Sequence, residues 1–278
     1  FLQKNNLKAI VILSECGFTE QIIIKLAKKF SIKIILLQHG IIIDNPSSYN
    51  YNKIITGTLP IESDYFFSWG WNSTIFEKKI IPIGVISKLK KIKVDPSIIL
   101  IVTTALPRFS YHLWSSSKSS QFVNYTENQF KFISSLNSSI NDSLVVRLIK
   151  KDYGWEQIER YRKKFPNLNI DSGETKMTDL LSKTKLYIGT YNATSYLEAI
   201  YLNIPTVIYW DINEWEIRDE AKPYFDDLKK VKVFFEDPES AAMHVNEIYN
   251  NIGEWWNSKE VSKAVINFKN IFCREEKD

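Results

Sequence analysis

The sequence predicts an α/β protein built of two Rossmann-like domains facing a cleft. Three observations carry that prediction. Short apolar runs such as KAIVIL (8–13), KIILL (33–37) and SIILIV (97–102) have the β-branched, two-sided character of buried parallel strands. Stretches with apolar residues at helical spacing, beginning with FTEQIIIKLAKKF (18–30), alternate with them. Between two such alternating regions lies SKLKKIKVDP (87–96), polar, basic and ended by proline, which reads as a linker. Domains are therefore expected at 1–86 and 87–278.

In order, KAIVIL is the first strand, Ser14 to Gly17 a turn, FTEQIIIKLAKKF a helix and KIILLQHG a second strand ending at glycine. Strand, helix and strand within roughly thirty residues make a βαβ unit. DYFFSW (64–69) and IIPIGV (80–85) add strand-like pieces. After the linker the alternation restarts with SIILIVTTA, a helix over about 121–136, the strand SLVVRLI (143–149), a helix over 155–164 and the strand NLNI (167–170). TKMTDLLSKT holds a short helix, KLYIG a strand, SYLEAIYLN a helix and PTVIYW a strand. The tail reads as helices over about 214–229 and 239–271 around a short strand, KVFF. The first unit is short for a doubly wound domain and the chain has no initiator Met, so the first domain is expected to be incomplete.

The 278 residues are 44% hydrophobic and 24% charged, ordinary for a soluble globular chain. A net charge of +4 with interspersed Lys and Glu argues against nucleic-acid binding. Cys16 and Cys273 lie far apart without metal-ligand spacing, which disfavours a disulfide scaffold or zinc site and fits a reducing, cytoplasmic setting. No apolar stretch approaches the ~20 residues of a membrane span, so at most peripheral membrane contact is expected. Aromatic residues make up 14% of the chain, with eight Trp, which suggests a pocket lined by rings. Five Asn-x-Ser/Thr triplets, Asn192-Ala193-Thr194 among them, are discounted as glycosylation sites because no secretory signal accompanies them.

The residues that could do chemistry fall at predicted strand ends, where open α/β sheets bind ligands. In GTYNATSYLEA (189–199) a strand hands over to a helix whose free N–H groups and dipole suit a phosphate. Asn192, Thr194 and Ser195 would line that cradle; Glu198 would cap the helix or hold a ribose hydroxyl, and simple capping by Thr194 and Glu198 fits the same pattern. In VVRLIKKDYGW, Arg147 offers a fork to phosphate, and Tyr153, Gly154 and Trp155 form a turn whose rings could stack on a base. His39 in LLQHG and Glu15 in SECG end neighbouring strands of the first unit, which lie ~5 Å apart, making them acid/base candidates. Arg108 and His112 could bind an anion or acceptor, and Glu214 with Trp215 follows a strand directly. The absence of G-x-G-x-x-G, G-x-x-x-x-G-K-[ST], H-E-x-x-H and G-x-S-x-G weighs against dinucleotide oxidation, P-loop hydrolysis, zinc proteolysis and a serine-hydrolase elbow.

Taken together, IILLQHG, SDYFFSWGW, PRFSYHLW, VVRLIKKDYGW, ATSYLEAIYLNIPTVIYWD, NEWEIRDEAKPYFDDL and EDPESAA…IGEWWNSKEV resemble a family of bacterial surface-carbohydrate biosynthesis transferases. These are distantly similar to two-domain, GT-B-type glycosyltransferases. The resemblance implies a metal-independent transferase that moves a sugar from a nucleotide-sugar donor to a glycan or lipid-linked glycan, at the cytoplasmic face of the membrane. It places donor phosphates at Thr194 and Ser195 and the ribose near Glu198, and it implies a truncated first domain. Related sialyl- and Kdo-transferases, which use CMP-linked sugars, carry His-Pro where this chain has Ile149-Lys150, so Lys150 would supply that polar contact. No cofactor is implied. The alternatives are a CDP-glycerol-type polyol-phosphate transferase and a non-catalytic nucleotide- or glycan-binding remnant.

Overall fold

A computed structural model describes residues 7–13, 18–38, 40, 63–72, 79–85, 95–109 and 119–276. The first region forms a parallel sheet from β1 (Ala9–Ile12), β2 (Lys33–Leu37), β3 (Tyr65–Ser68) and β4 (Lys79–Pro82), in the order β1-β2-β3-β4. Helix α1 (Phe18–Lys29) links the first two strands and lays Ile24 and Ala27 onto Ile32 and Ile34. Asp64 anchors this sheet at its amino edge. Its carboxylate accepts from the Ile34 N–H at 2.8 Å and pairs with Lys33 at 2.9 Å.

The second region holds six parallel strands: β5 (Ile98–Val102), β6 (Leu144–Arg147), β7 (Asn169–Asp171), β8 (Thr184–Gly189), β9 (Thr206–Tyr209) and β10 (Phe234–Phe235). Their spatial order is β10-β9-β8-β5-β6-β7. This is a doubly wound sheet: β5 to β7 proceed to one side, β8 to β10 to the other. The order reverses between β5 and β8, whose last paired residues are Val102 and Gly189. At such a reversal the crossovers on the two sides diverge and leave a crevice at the carboxyl ends of the strands. Helices α2 (Ser119–Ser134), α3 (Gln157–Lys164), α4 (Met177–Leu181) and α5 (Thr194–Tyr201) connect the strands, and α6 (Lys222–Lys230), α7 (Pro238–Ile248), α8 (Ile252–Trp256) and α9 (Lys259–Phe272) complete the chain. Both faces are covered, so the strands are apolar on both sides; Ile99, Leu100 and Ile101 are each wholly buried.

The tail departs from the two long helices expected. Residues 214–221 form turns, and the helix starts at Lys222 with Pro223 in its first turn. Proline is pre-shaped for that position but cannot sit inside a helix, so it sets the start. The 239–271 stretch is broken twice, where Asn251 and Ser258 begin new helices and the Ser258 hydroxyl caps the Val261 N–H. Many of the aromatic residues serve packing: Tyr196, Trp210, Phe225, Phe234, Phe268 and Phe272 pack into one core between α5, α6, α9 and the sheet. Each such ring stabilises by about 1.5–3 kcal/mol through burial, which is why a chain of this size places them inside. A small pocket is nevertheless lined by the rings of Tyr125, Tyr209, Trp210 and Trp215.

The end of α9 crosses back to the first sheet. The Arg274 N–H donates to the Trp69 carbonyl at 2.8 Å, the Val85 N–H donates to the Arg274 carbonyl at 2.9 Å, and the guanidinium reaches the Pro82 carbonyl. Gly70 makes this contact possible: a Cβ there would lie 2.5 Å from the Asn270 carbonyl oxygen. The predicted linker lies outside the described residues as far as Val94.

Candidate functional site

The carboxyl ends of β5 and β8 are tied together beneath the crevice. Tyr125 on α2 reaches this seam with its hydroxyl, which accepts from the Thr104 N–H at 2.9 Å and shares a 2.7 Å hydrogen bond with Thr190. The Thr190 hydroxyl in turn donates to the Val102 carbonyl at 2.9 Å. Burial drives the Tyr125 phenol far above its usual range, so it stays a neutral donor. A phenol in a buried position must find partners, and here it finds them on both strands of the reversal.

Helix α5 starts on this seam. Its N-cap is Ala193, in extended conformation and with no capping side chain; Thr194 and Ser195 are the first two helical residues. The expected capping role of Thr194 and Glu198 is therefore not realised. Glu198 lies in the second turn, too far along the helix to reach the N–H groups of the first turn. The Ser195 hydroxyl accepts from the Tyr187 hydroxyl at 2.8 Å, and Tyr191 lies beside both Ser195 and Thr104. Asn192 is buried and accepts from the Tyr196 hydroxyl at 3.0 Å, so it holds the turn together from within.

Glu198 is half-buried beside Tyr187 and Tyr191, and burial raises its carboxyl above the ordinary range. Tyr187 and Tyr191 are likewise pushed up by burial. A carboxylate next to two neutral phenols at the mouth of a crevice is suited to receive a ligand hydroxyl.

Among the described residues, the first region meets this site at Gly40. Gly40, just beyond β2, has φ +82°, and a Cβ added to it would lie 2.4 Å from Thr194 Oγ1. Gly40 thus lies directly over the start of α5, and only glycine fits there. His39 and Glu15, the proposed acid/base pair, lie outside the described residues, as does His112.

On the other flank, Arg147 ends β6, but its Nη1 already donates to Asp171 at 2.8 Å and to the Thr175 carbonyl at 2.6 Å. That nitrogen pins the loop after β7 and is not a free phosphate fork; the guanidinium still lies close enough to Tyr191 to favour its ionised form. Lys150 is exposed and pairs with Glu174 at 3.1 Å. Together with Leu148, Asp152 and Gln157 it lines a groove of about 510 Å³. Asp152 organises the loop that follows. Burial works against its charge, but N–H donors from Gln157, Glu156 and Trp155 outweigh that and hold its carboxyl below the usual range.

Within this loop Tyr153 and Gly154 adopt left-handed conformations, φ +57° and +86°, with Lys151 Nζ 4.8 Å from the Tyr153 ring centre. Trp155 is no base-stacking platform: it is buried against Phe122 at 4.3 Å and donates to the Leu106 carbonyl at 2.7 Å. Arg108 clamps the same loop, donating to the Gly154 carbonyl at 3.3 Å above the Trp155 ring. Glu214 accepts from Asn124 at 2.9 Å, close to Tyr125 and Asp211, and burial raises its carboxyl. Sequence reasoning passed over Asp152, Tyr125, Tyr187, Thr190 and Gly40. The Asp-Tyr-Gly turn signature and two tyrosines placed in or beside apolar segments were the available signals.

Residues 3–278 match the model of a family described as LIC12162 family transferase. The chain belongs to that transferase family. No curated protein matches this transferase by sequence. Among solved structures it is similar to the wall teichoic acid polymerase TagF, at 13% identity and a TM-score of 0.50 over 96% of this chain and 68% of that one. It is also similar to a Listeria monocytogenes structure named as a UDP-N-acetylglucosamine 2-epimerase, at 9% identity and a TM-score of 0.56 over 96% of this chain and 74% of that one. MurG of Acinetobacter baumannii aligns at 10% identity and a TM-score of 0.48, over 98% and 71%. At such identities the likeness is one of fold, and that fold is the GT-B arrangement of two Rossmann-like domains. Among the described residues, no helix of this transferase is long and apolar enough to cross a membrane, and no cluster of three or more His, Cys, Asp or Glu could hold a metal ion.

Proposed function

We propose that this transferase moves a sugar from a nucleotide-sugar donor to a bacterial surface glycan or its lipid-linked precursor, with the donor held at the β5/β8 reversal. The observation that carries this reading is the start of α5. It opens without a capping side chain, at the carboxyl ends of the strands, with Ser195, Thr194 and the half-buried Glu198 beside it. The positive end of the helix would stabilise the leaving phosphate, with hydroxyl help from Ser195 and Thr194. Glu198 would accept a ribose hydroxyl, and the Arg147–Asp171 pair and the Asp152 loop would shape the flank nearest the base. Departure of a diphosphate or monophosphate stabilised in this way calls for no metal ion and no cofactor. His39 or Glu15 would act as the base that activates the acceptor, on the cytoplasmic side of the membrane.

The test is nucleotide binding, by thermal shift and calorimetry against CMP, UDP, GDP and CDP-glycerol. One nucleotide is expected to stabilise the protein, and Ser195→Ala is expected to weaken its binding about ten- to hundredfold, the worth of one hydrogen bond to a charged group. Stabilisation by CDP-glycerol alone would move the assignment to polyol-phosphate transfer. Silence with all four would remove the donor site. Donor turnover that survives in both His39→Ala and Glu15→Ala would discard the acid/base assignment.

A further inference from the structure

Helix α1 uses only part of its circumference to hold the first sheet. Ile24 and Ala27 are wholly buried against Leu7, Ile10, Ile12, Ile32 and Ile34. On the outward side, Phe18, Ile22 and Leu26 follow one another at four-residue spacing, and Phe30 continues the line just past the helix end. Their exposures are 83%, 43%, 41% and 39%, which makes a continuous apolar stripe on a surface helix rather than scattered surface residues. At 100° per residue, Lys25 and Lys29 straddle Phe18, and Lys28 lies further round on the same edge of the stripe. All three lysines are exposed. The one acidic residue of the helix, Glu20, is half-buried on the half turned towards the sheet, and the nearby Asp64 is neutralised by Lys33 at 2.9 Å.

We infer that α1 is a docking surface for an anionic lipid bilayer, lying in the plane of the interface with its apolar stripe inserted. The charge pattern selects this occupant. The buried centres of protein interfaces are depleted in lysine. At a bilayer boundary, by contrast, lysine stems lie along the apolar surface while their ammonium groups reach lipid phosphates. The inference is independent of the donor-site reading, since nucleotide binding and vesicle binding are measured separately.

The experiment is co-sedimentation of the full chain with vesicles of mixed phosphatidylglycerol and phosphatidylcholine, and with phosphatidylcholine alone. Binding is expected only to the anionic vesicles and is expected to weaken severalfold between about 0.1 M and about 0.5 M salt. Lys25→Glu/Lys29→Glu should lower partitioning by about tenfold or more, because each lysine near an anionic surface contributes a severalfold factor. Ile22→Ser/Leu26→Ser should abolish it with an unchanged circular-dichroism melt; if that pair fails to fold, the exposed lysine pair carries the test. Equal binding by wild type and lysine variant, or no binding to anionic vesicles, overturns the inference. So does a wild-type dimer, seen by light scattering, that ignores vesicles and is dispersed by the serine variants, because a second copy would then cover the stripe.

Discussion

Glu198 and His244 are two buried titratable groups whose environments push them in directions that can be read as stability. Burial raises Glu198. The folded protein therefore holds that proton more tightly than the unfolded chain, a contribution present below the ordinary glutamate range and lost as pH rises through the folded value. Glu198→Gln removes the loss. Its melting temperature is expected to gain on wild type steadily from about pH 4 to about pH 7, while nucleotide affinity at neutral pH falls about tenfold. Scanning calorimetry with titration calorimetry checks both halves. His244 runs the other way. It is buried between Phe235 and Trp255, its Nε2 lacks a hydrogen-bond partner, and burial depresses its pKa against the opposing pull of Glu247. Nearby Lys232 acts in the same direction as burial. A depressed imidazole contributes stability above its unfolded value of about 6.5, and that contribution is lost as pH falls. His244→Phe keeps the ring contacts, so the acid side of the melting-temperature profile is expected to flatten between about pH 7 and about pH 5. An unchanged slope would show that another group controls acid unfolding.

Between elements, the contact that matters most is Gly40 against the first residue of α5. Two costs are combined in Gly40→Ala: a left-handed backbone, worth about 1–2 kcal/mol for a residue with a Cβ, and overlap with Thr194 Oγ1. Thr194→Ala relieves only the second. A double-mutant cycle by urea unfolding is therefore expected to show Gly40→Ala strongly destabilising alone and partly rescued by Thr194→Ala, with a coupling of at least about 0.5 kcal/mol. Strict additivity would mean that the loop after β2 does not pack on α5 in solution.

Across the whole molecule, the returning end of α9 is what makes the two sheets one structure. Arg274 joins Trp69 and Pro82 on the first sheet while Phe268 and Phe272 stay in the core of the second. Arg274→Ala is expected to destabilise by about 1–3 kcal/mol, the cost of leaving the part-buried Pro82 carbonyl without its guanidinium partner. Hydrogen exchange read by mass spectrometry should show β3 and β4 losing protection before β5 and β8. Uniform loss across both sheets would show that they unfold as one cooperative unit whatever happens at this joint.

Strand runs, the helix from Phe18 and the carboxyl-end position of YNATSYLEA were legible in the chain, because period and turn chemistry are local properties. The alternation of KLYIG, SYLEAIYLN and PTVIYW was sufficient to predict parallel strands buried on both sides. Whether a polar residue near a strand end is free for a ligand is not local. Arg147 looked like an open fork until Asp171, twenty-four residues away, took its Nη1. Trp155 looked like a platform until Phe122 covered it, and the tail looked like longer helices until Pro223, Asn251 and Ser258 set new starts. The sequence by itself determined that strands and helices alternate and that YNATSYLEA opens a helix at the carboxyl end of a strand. Only the tertiary structure decided that the order reverses between β5 and β8, that Tyr125 ties that seam, and that Gly40 meets Thr194. Those are pairings between segments distant in the chain, and no local periodicity encodes the partner of a buried hydrogen-bonding group.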